Sequence, residues 1–220
     1  MNSDILGTAI PLFAQAALLT VRISIIGIVL AVAVGIICAT VRELRVPVLR
    51  QIAGAYIELS RNTPLLIQLV FLYYGLPKAG IVLSGETCAI IGLAFLGGSY
   101  MAEAFRSGLD AVPTTQYESS VALGLSRMQA LRTVLLPQAF VTAVPGLTAN
   151  LIFLVKETSV VSIIALPDLV YCARDMMGVG YHTDEALLLL VASYFIILVP
   201  VAVAARIFEK KARRYVGTTN

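Results

Sequence analysis

ESSVALGLSRMQALRTVLLP, residues 118–137, interrupts a chain that is otherwise apolar almost from end to end, and its reading decides the fold. Charges recur in it too closely for a hydrocarbon crossing, one glycine breaks it and one proline closes it. Thr115 followed by Glu118 has the spacing of a capping box, and so does Ser126 followed by Gln129. Gly124 stands where a helix would end in a left-handed turn, and Pro137 is placed to end or bend whatever precedes it. The stretch therefore predicts helices over about 116–123 and 127–136, about 12 and 15 Å long and too short to cross a bilayer. In the second, Met128, Leu131, Val134 and Leu135 keep helical periodicity while Arg127 and Arg132 lie elsewhere on its surface.

The surrounding chain explains why such a pair is unusual. Its 220 residues are 59% hydrophobic and 13% charged, with a mean hydropathy of +0.90. A water-soluble domain carries about twice that share of charge, so the solvent of this protein is mostly lipid. The net charge of +3 is a matter of membrane topology and gives no case for nucleic acid. Cys38, Cys88 and Cys172 are scattered without metal-ligand or redox spacing, and His182 is a lone histidine. The N-terminus carries Asp4 in place of the basic start of a secretory signal, and is expected to be retained.

Five segments are long and apolar enough to span, at about 11–41, 51–77, 86–106, 137–166 and 186–208. Lysine and arginine set their direction. Arg42, Arg45 and Arg50 fall between the first two; Arg106, Arg127 and Arg132 between the third and fourth; Arg206, Lys210, Lys211, Arg213 and Arg214 after the fifth. The opposite side, with Asp4, Lys78, Glu86, Asp168, Arg174, Asp175, Asp184 and Glu185, is net acidic. The N-terminus is expected outside, the C-terminus in the cytoplasm, and the loop at about 110–136 in the cytoplasm. Physics alone leaves that loop either as an interfacial helix pair on the headgroups or as a docking knob for a cytoplasmic partner.

The stretch resembles the EAA loop of ABC importer permeases, a pattern of EAA, three residues, G, nine residues, I, one residue and LP. Glu118 supplies the E, Ser119 and Ser120 stand for the alanines, Gly124 is the G, Val134 stands for the I, and Leu136 with Pro137 close it. IELSRNTPLLIQLVFLYYGLP (57–77), YMAEAFRSGLDAVP (100–113) and VKETSVVSIIALPDL (155–169) are similar to segments of the polar amino acid uptake permeases of histidine, arginine, glutamine and glutamate importers. The resemblance implies an all-α, MetI-like type I importer permease in one transmembrane domain, with five helices and a coupling helix between spans three and four. It assigns ATPase coupling to Glu118, Ala122, Leu123, Gly124, Leu125 and Ser126.

Charges within the spans are functional candidates because each costs about 2.5–3.5 kcal/mol on insertion. Lys156 and Glu157 are adjacent and so point about 100° apart on a helix. Glu157 shares a face with Asn150, Leu154 and Val161 and is the one expected on the pathway, where a carboxylate can pair with a substrate ammonium; Lys156 is expected to meet an acceptor on a neighbouring helix. Arg61 lies beside a kink at Pro64 and either binds a substrate carboxylate or pairs with Glu58. The matching segments carry Arg61, Asn62, Met101, Glu157, Thr158 and Ser159 as pathway candidates. Arg22 can snorkel outward, Glu103 and Arg106 form a local i,i+3 pair, and Tyr73, Tyr74 and Tyr181 suit an interfacial belt.

The sequence has no phosphate-binding GxxxxGK[ST] loop and no hydrolase motif in its loops. The resemblance supplies partners instead: two ABC ATPase subunits that bind ATP and magnesium, a second permease subunit, identical or related, and an extracytoplasmic amino acid-binding protein. No cofactor is expected in this subunit, which sits in the bacterial inner membrane. A self-sufficient secondary transporter, the competing reading, would show matching interrupted segments in two halves, and none is found.

Overall fold

The first apolar run has no polar stripe, and it forms one helix, α1, over Ser3–Glu43, with Pro11 inside it. This computed structural model describes residues 3–43, 46–180 and 182–215; Arg45 and Tyr181 lie outside them.

Two helices follow where one span was expected. Helix α2, Pro47–Arg61, stops; α3, Leu65–Val70, starts again after Pro64 and continues through a π turn, Phe71–Gly75, and a 3₁₀ turn, Leu76–Ala79. The sequence predicts a kink here, and the structure has a full break, because proline cannot donate and disfavours helical backbone at the residue before it. The freed carbonyls are taken up locally. Asn62 Nδ2 donates to Glu58 O at 2.8 Å and Thr63 Oγ1 to Leu59 O at 2.8 Å. Gln68 Nε2 reaches back across the break to Ser60 O at 3.2 Å and Thr63 O at 3.0 Å.

Helix α4, Gly85–Asp110, is capped by Ser84, which accepts from Thr87 N at 3.1 Å. It packs on α1, α2 and α3. Its seam with α1 is parallel and built on small residues: Gly27 lies against Leu93, Ala31 against Gly97 and Gly35 against Met101. A Cβ added to Gly97 would fall 2.7 Å from that of Ala31, and one added to Gly35 2.5 Å from that of Met101. Without a hydrophobic driving force between helices in lipid, such close approach is what holds them.

The loop forms α5, Thr114–Ala122, then α6, Arg127–Ala130. The Ser126–Gln129 capping box is present. The Thr115–Glu118 box is not, because Pro113 takes the N-cap position and accepts from Gln116 N at 3.0 Å, which leaves Thr115 already inside the helix. Gly124 has φ +84°, and Gly124 N to Val121 O at 2.9 Å with Leu125 N to Ser120 O at 3.1 Å completes a Schellman turn.

Pro137 does not end the second helix. A π turn, Leu131–Leu135, joins α6 to α7, Leu136–Glu157, and a 3₁₀ turn, Thr158–Ile164, extends α7, so the backbone stays helical from Arg127 to Ile164. The wider π turn moves the upstream carbonyls away from the proline ring, the clash that would break an α-helix. Between this stretch and α9, Thr183–Tyr215, the chain forms a further helix, α8, Leu169–Gly180.

Among the described residues four stretches are long and apolar enough to cross a membrane, Gly7–Arg42, Gly85–Asp110, Arg127–Ile164 and Thr183–Arg214; Leu65–Ala79 is apolar but shorter. The main core gathers Ile23, Leu69, Leu93, Met101 and Leu154 around α4. A second joins Phe13 and Ala16 of α1 to Leu169 and Ala173 of α8, with Tyr194 of α9 packed on it.

Candidate functional site

Three places hold all of the candidate pathway and coupling residues except Met101. The first is a cavity of about 450 Å³ lined by α2, α4 and the end of α1, including Arg42, Glu58, Arg61, Asn62, Tyr100 and Glu103. The break after α2 puts Arg61 at a helix end, and α4 faces it with one carboxylate. Glu103 gathers three guanidiniums: Arg42 at 2.6 Å, Arg106 at 2.9 Å and Arg61 at 3.7 Å. Arg106 also pairs with Asp110. Arg61 lies 5.3 Å above the Tyr100 ring, a cation–π distance.

Arg61 thus pairs with Glu103 and not with Glu58, the internal partner the sequence suggests. Its side chain stays 42% exposed, which leaves donors free for an anion. Glu58 is exposed on the same cavity and offers a negative group nearby. A zwitterion fits this chemistry, and the volume lies in the range of small-molecule pockets. Sequence reasoning assigned Arg42 to topology and kept Glu103 and Arg106 as a local pair; the i,i+3 spacing was legible, but the convergence of α1 and α2 on that pair was not.

The second place is the junction of α7 and its 3₁₀ extension. Glu157 is half-buried and Thr158 fully buried, its hydroxyl donating to Val155 O at 2.7 Å. Ser159 is partly buried. Lys156 is exposed and has no ion pair among the described residues, so the acceptor expected on a neighbouring helix is not found in this protomer. Asn150, on the same helical face as Glu157, donates to Tyr100 O at 3.1 Å and so ties α7 to the helix that carries Glu103. Glu157, Thr158 and Ser159 do not line the Arg61 cavity. Met101 lies in neither place: it is fully buried in the core against Gly35.

The third place is the α5–α6 turn. Glu118, Ala122, Leu123, Gly124 and Ser126 are exposed and Leu125 is half-buried. Leu123, at 84% exposure, is the most open large apolar side chain in its helix pair. Beside it lies a hollow of about 620 Å³ whose walls include Tyr117, Val121 and Leu125. With Val121 also exposed, the polar helix pair carries an apolar tip. Gln138 Nε2 of α7 donates to Gln116 Oε1 of α5 at 3.4 Å and to Val134 O at 3.0 Å, which links the turn to the long helix.

Comparison with known proteins gives this arrangement a family. A probable glutamine ABC transporter permease protein, GlnP, of Bacillus subtilis (strain 168) is 34% identical over 195 residues, 87% of this chain and 89% of that protein. A crystal structure of an amino acid ABC transporter with histidines superposes with a TM-score of 0.89 at 29% identity, over 96% of this chain and 99% of that one. The inward-facing MetNI methionine ABC transporter shares the fold, with a TM-score of 0.71 at 22% identity over 96% of this chain and 99% of its own. Residues 31–214 match the family described as binding-protein-dependent transport system inner membrane component, and the chain belongs to that family.

Proposed function

We propose that this protein is the permease subunit of an ATP-driven importer that carries a polar amino acid across the bacterial inner membrane, with ATP and magnesium bound by separate ATPase subunits. The observation that carries the reading is the continuous helix from Arg127 to Ile164, which starts at the exposed α5–α6 turn and ends just past Glu157. Force applied at the turn would reach that end of α7 through a rigid rod. Glutamine and other amino acid permeases among its relatives support the substrate class.

The chain crosses the membrane five times in this reading, with α2 and α3 together making the second crossing. The N-terminus is outside and the C-terminus cytoplasmic, which puts the α5–α6 turn where an ATPase can seat on Leu123 and its neighbours. Arg61 and Asn62 in the α2–α4 cavity and Glu157, Thr158 and Ser159 at the end of α7 are two separate stations along the pathway, the first suited to a substrate carboxylate and the second to its ammonium. Met101 acts as packing behind them. A second permease subunit, two ATPase subunits and an extracytoplasmic amino acid-binding protein complete the machine. The subunit itself hydrolyses nothing.

Uptake of radiolabelled L-glutamine, L-arginine and L-histidine into proteoliposomes tests this. Transport of at least one must require the ATPase and the binding protein and stop on vanadate treatment. It should fall at least tenfold in Glu157→Gln and in Arg61→Ala. Uptake by this polypeptide alone would overturn the reading, and wild-type rates in both variants would overturn the pathway.

A further inference from the structure

Among the described residues beyond Glu157, two buried side-chain polar atoms have no hydrogen-bond partner. Asp168 is fully buried. Its Oδ1 caps α8 by accepting from Tyr171 N at 2.8 Å, and its Oδ2 has no partner. The Tyr194 hydroxyl on α9 is also buried and without a partner. That hydroxyl has the Asp168 carboxylate and the side chains of Thr158 and Ser159 as its polar neighbours. A buried donor or acceptor left unmade forfeits the hydrogen bonds that water gave it, with nothing in return. A donor and an acceptor that face the same space relieve this by pairing, directly or through one buried water.

The stretch beside them needs outside support. Thr158–Ile164 is 3₁₀, a helix with poorer hydrogen-bond geometry than α. It ends at Ala165, a non-glycine residue at φ +54°, a conformation that costs free energy unless its surroundings impose it. Tyr74 of the π turn after α3 holds one side, its hydroxyl donating to Ile163 O at 3.4 Å. On the other side α8 packs against the segment, with Tyr194 of α9 the nearby group that Asp168, Thr158 and Ser159 influence.

We propose that the Tyr194 hydroxyl donates to Asp168 Oδ2, directly or through one water, and that this latch fixes the Thr158–Ile164 segment against α8 and α9, making Tyr194 and Asp168 positioning residues for the substrate contacts at Glu157–Ser159. The inference rests on the assignment of those contacts to the pathway. It does not require either residue to touch the substrate.

The test uses the whole complex of permease, ATPase and binding protein, with Tyr194→Phe, Asp168→Asn and the double variant. Amide hydrogen exchange should accelerate about tenfold across 158–164 in each single variant and no further in the double, because one latch is lost only once. For whichever of radiolabelled L-glutamine, L-arginine or L-histidine the wild type takes up fastest, KM should rise several-fold while kcat changes less than twofold; a general loss of folded complex would lower the maximal rate and leave KM alone. Unchanged exchange, or exchange effects that add, overturns the latch. Accelerated exchange with wild-type uptake overturns the positioning role. Should Asp168→Asn fail to assemble, Asp168→Ser, which keeps an oxygen to cap α8 and loses Oδ2, must show the same non-additivity with Tyr194→Phe in exchange. Glu157→Gln is the separating control: if it leaves uptake unchanged, the pathway assignment fails whatever the exchange data say.

Discussion

Gly124 shows how much a single position can be asked to do. Its φ of +84° closes α5, and a Cβ placed there would meet nothing within 4 Å, so substitution is a matter of backbone alone. Gly124→Ala should cost about 1 kcal/mol and lower substrate-stimulated ATP hydrolysis several-fold. Gly124→Asn should do less harm, since asparagine tolerates the left-handed region; ATPase assays on the reconstituted complex check the order. Glu103 is a second such position. Removing its charge leaves three guanidiniums facing one another with only Asp110 still paired to Arg106. Glu103→Gln should destabilise the protein by roughly 2 kcal/mol, below the usual figure for breaking a buried pair because its partners reach solvent. Thermal unfolding in detergent would register it, and Arg61→Ala in the same background should add little.

At the scale of elements, the α1–α4 seam is a demanding contact, built on close approach at Gly27, Gly35 and Gly97. Gly97→Val and Gly35→Val should each lower stability by about 1–3 kcal/mol through overpacking, whereas Gly7→Ala, with nothing within 4 Å of the new methyl, should be neutral in the same unfolding experiment. The seam explains what was legible beforehand and what was not. Long apolar runs announced α1, α4, α7 and α9, and the Ser126 box and Gly124 announced the turn, because these depend on local spacing. The fate of Pro137 was hidden, since a proline stops an α-helix but is accommodated beside a π turn, and the turn type is set by how α6 and α7 meet. Helix α8 was hidden for a related reason: its apolar face answers to Phe13 and Ala16 at the far end of the chain. The Arg61 partner failed similarly, because Glu58 is near in sequence and Glu103 near in space.

For the molecule as a whole, the burial of Asp168 ties stability to pH. This carboxyl lies between the crossing segments, and burial lifts it to about 6 from an unfolded value near that of any aspartate. A carboxyl raised in the folded state is a liability when ionised, so the fold should gain stability as pH falls from 7 through 6 toward 4. Asp168→Asn should remove that gain; melting curves of the complex at pH 5 and pH 7 give the comparison. The parallel packing of α1 on α4 also bears on how the protein is made. Glu103 follows Arg42 by 61 residues, so a ribosome delivers the first helix with its groove of glycines open and its terminal guanidinium bare well before the helix that completes both. Until α4 follows, neither the glycine seam nor Arg42 has the partner it holds in the finished fold. Chains stalled before α4 has emerged from the ribosome should therefore be degraded as orphans, while those long enough for α4 to pack on α1 should persist.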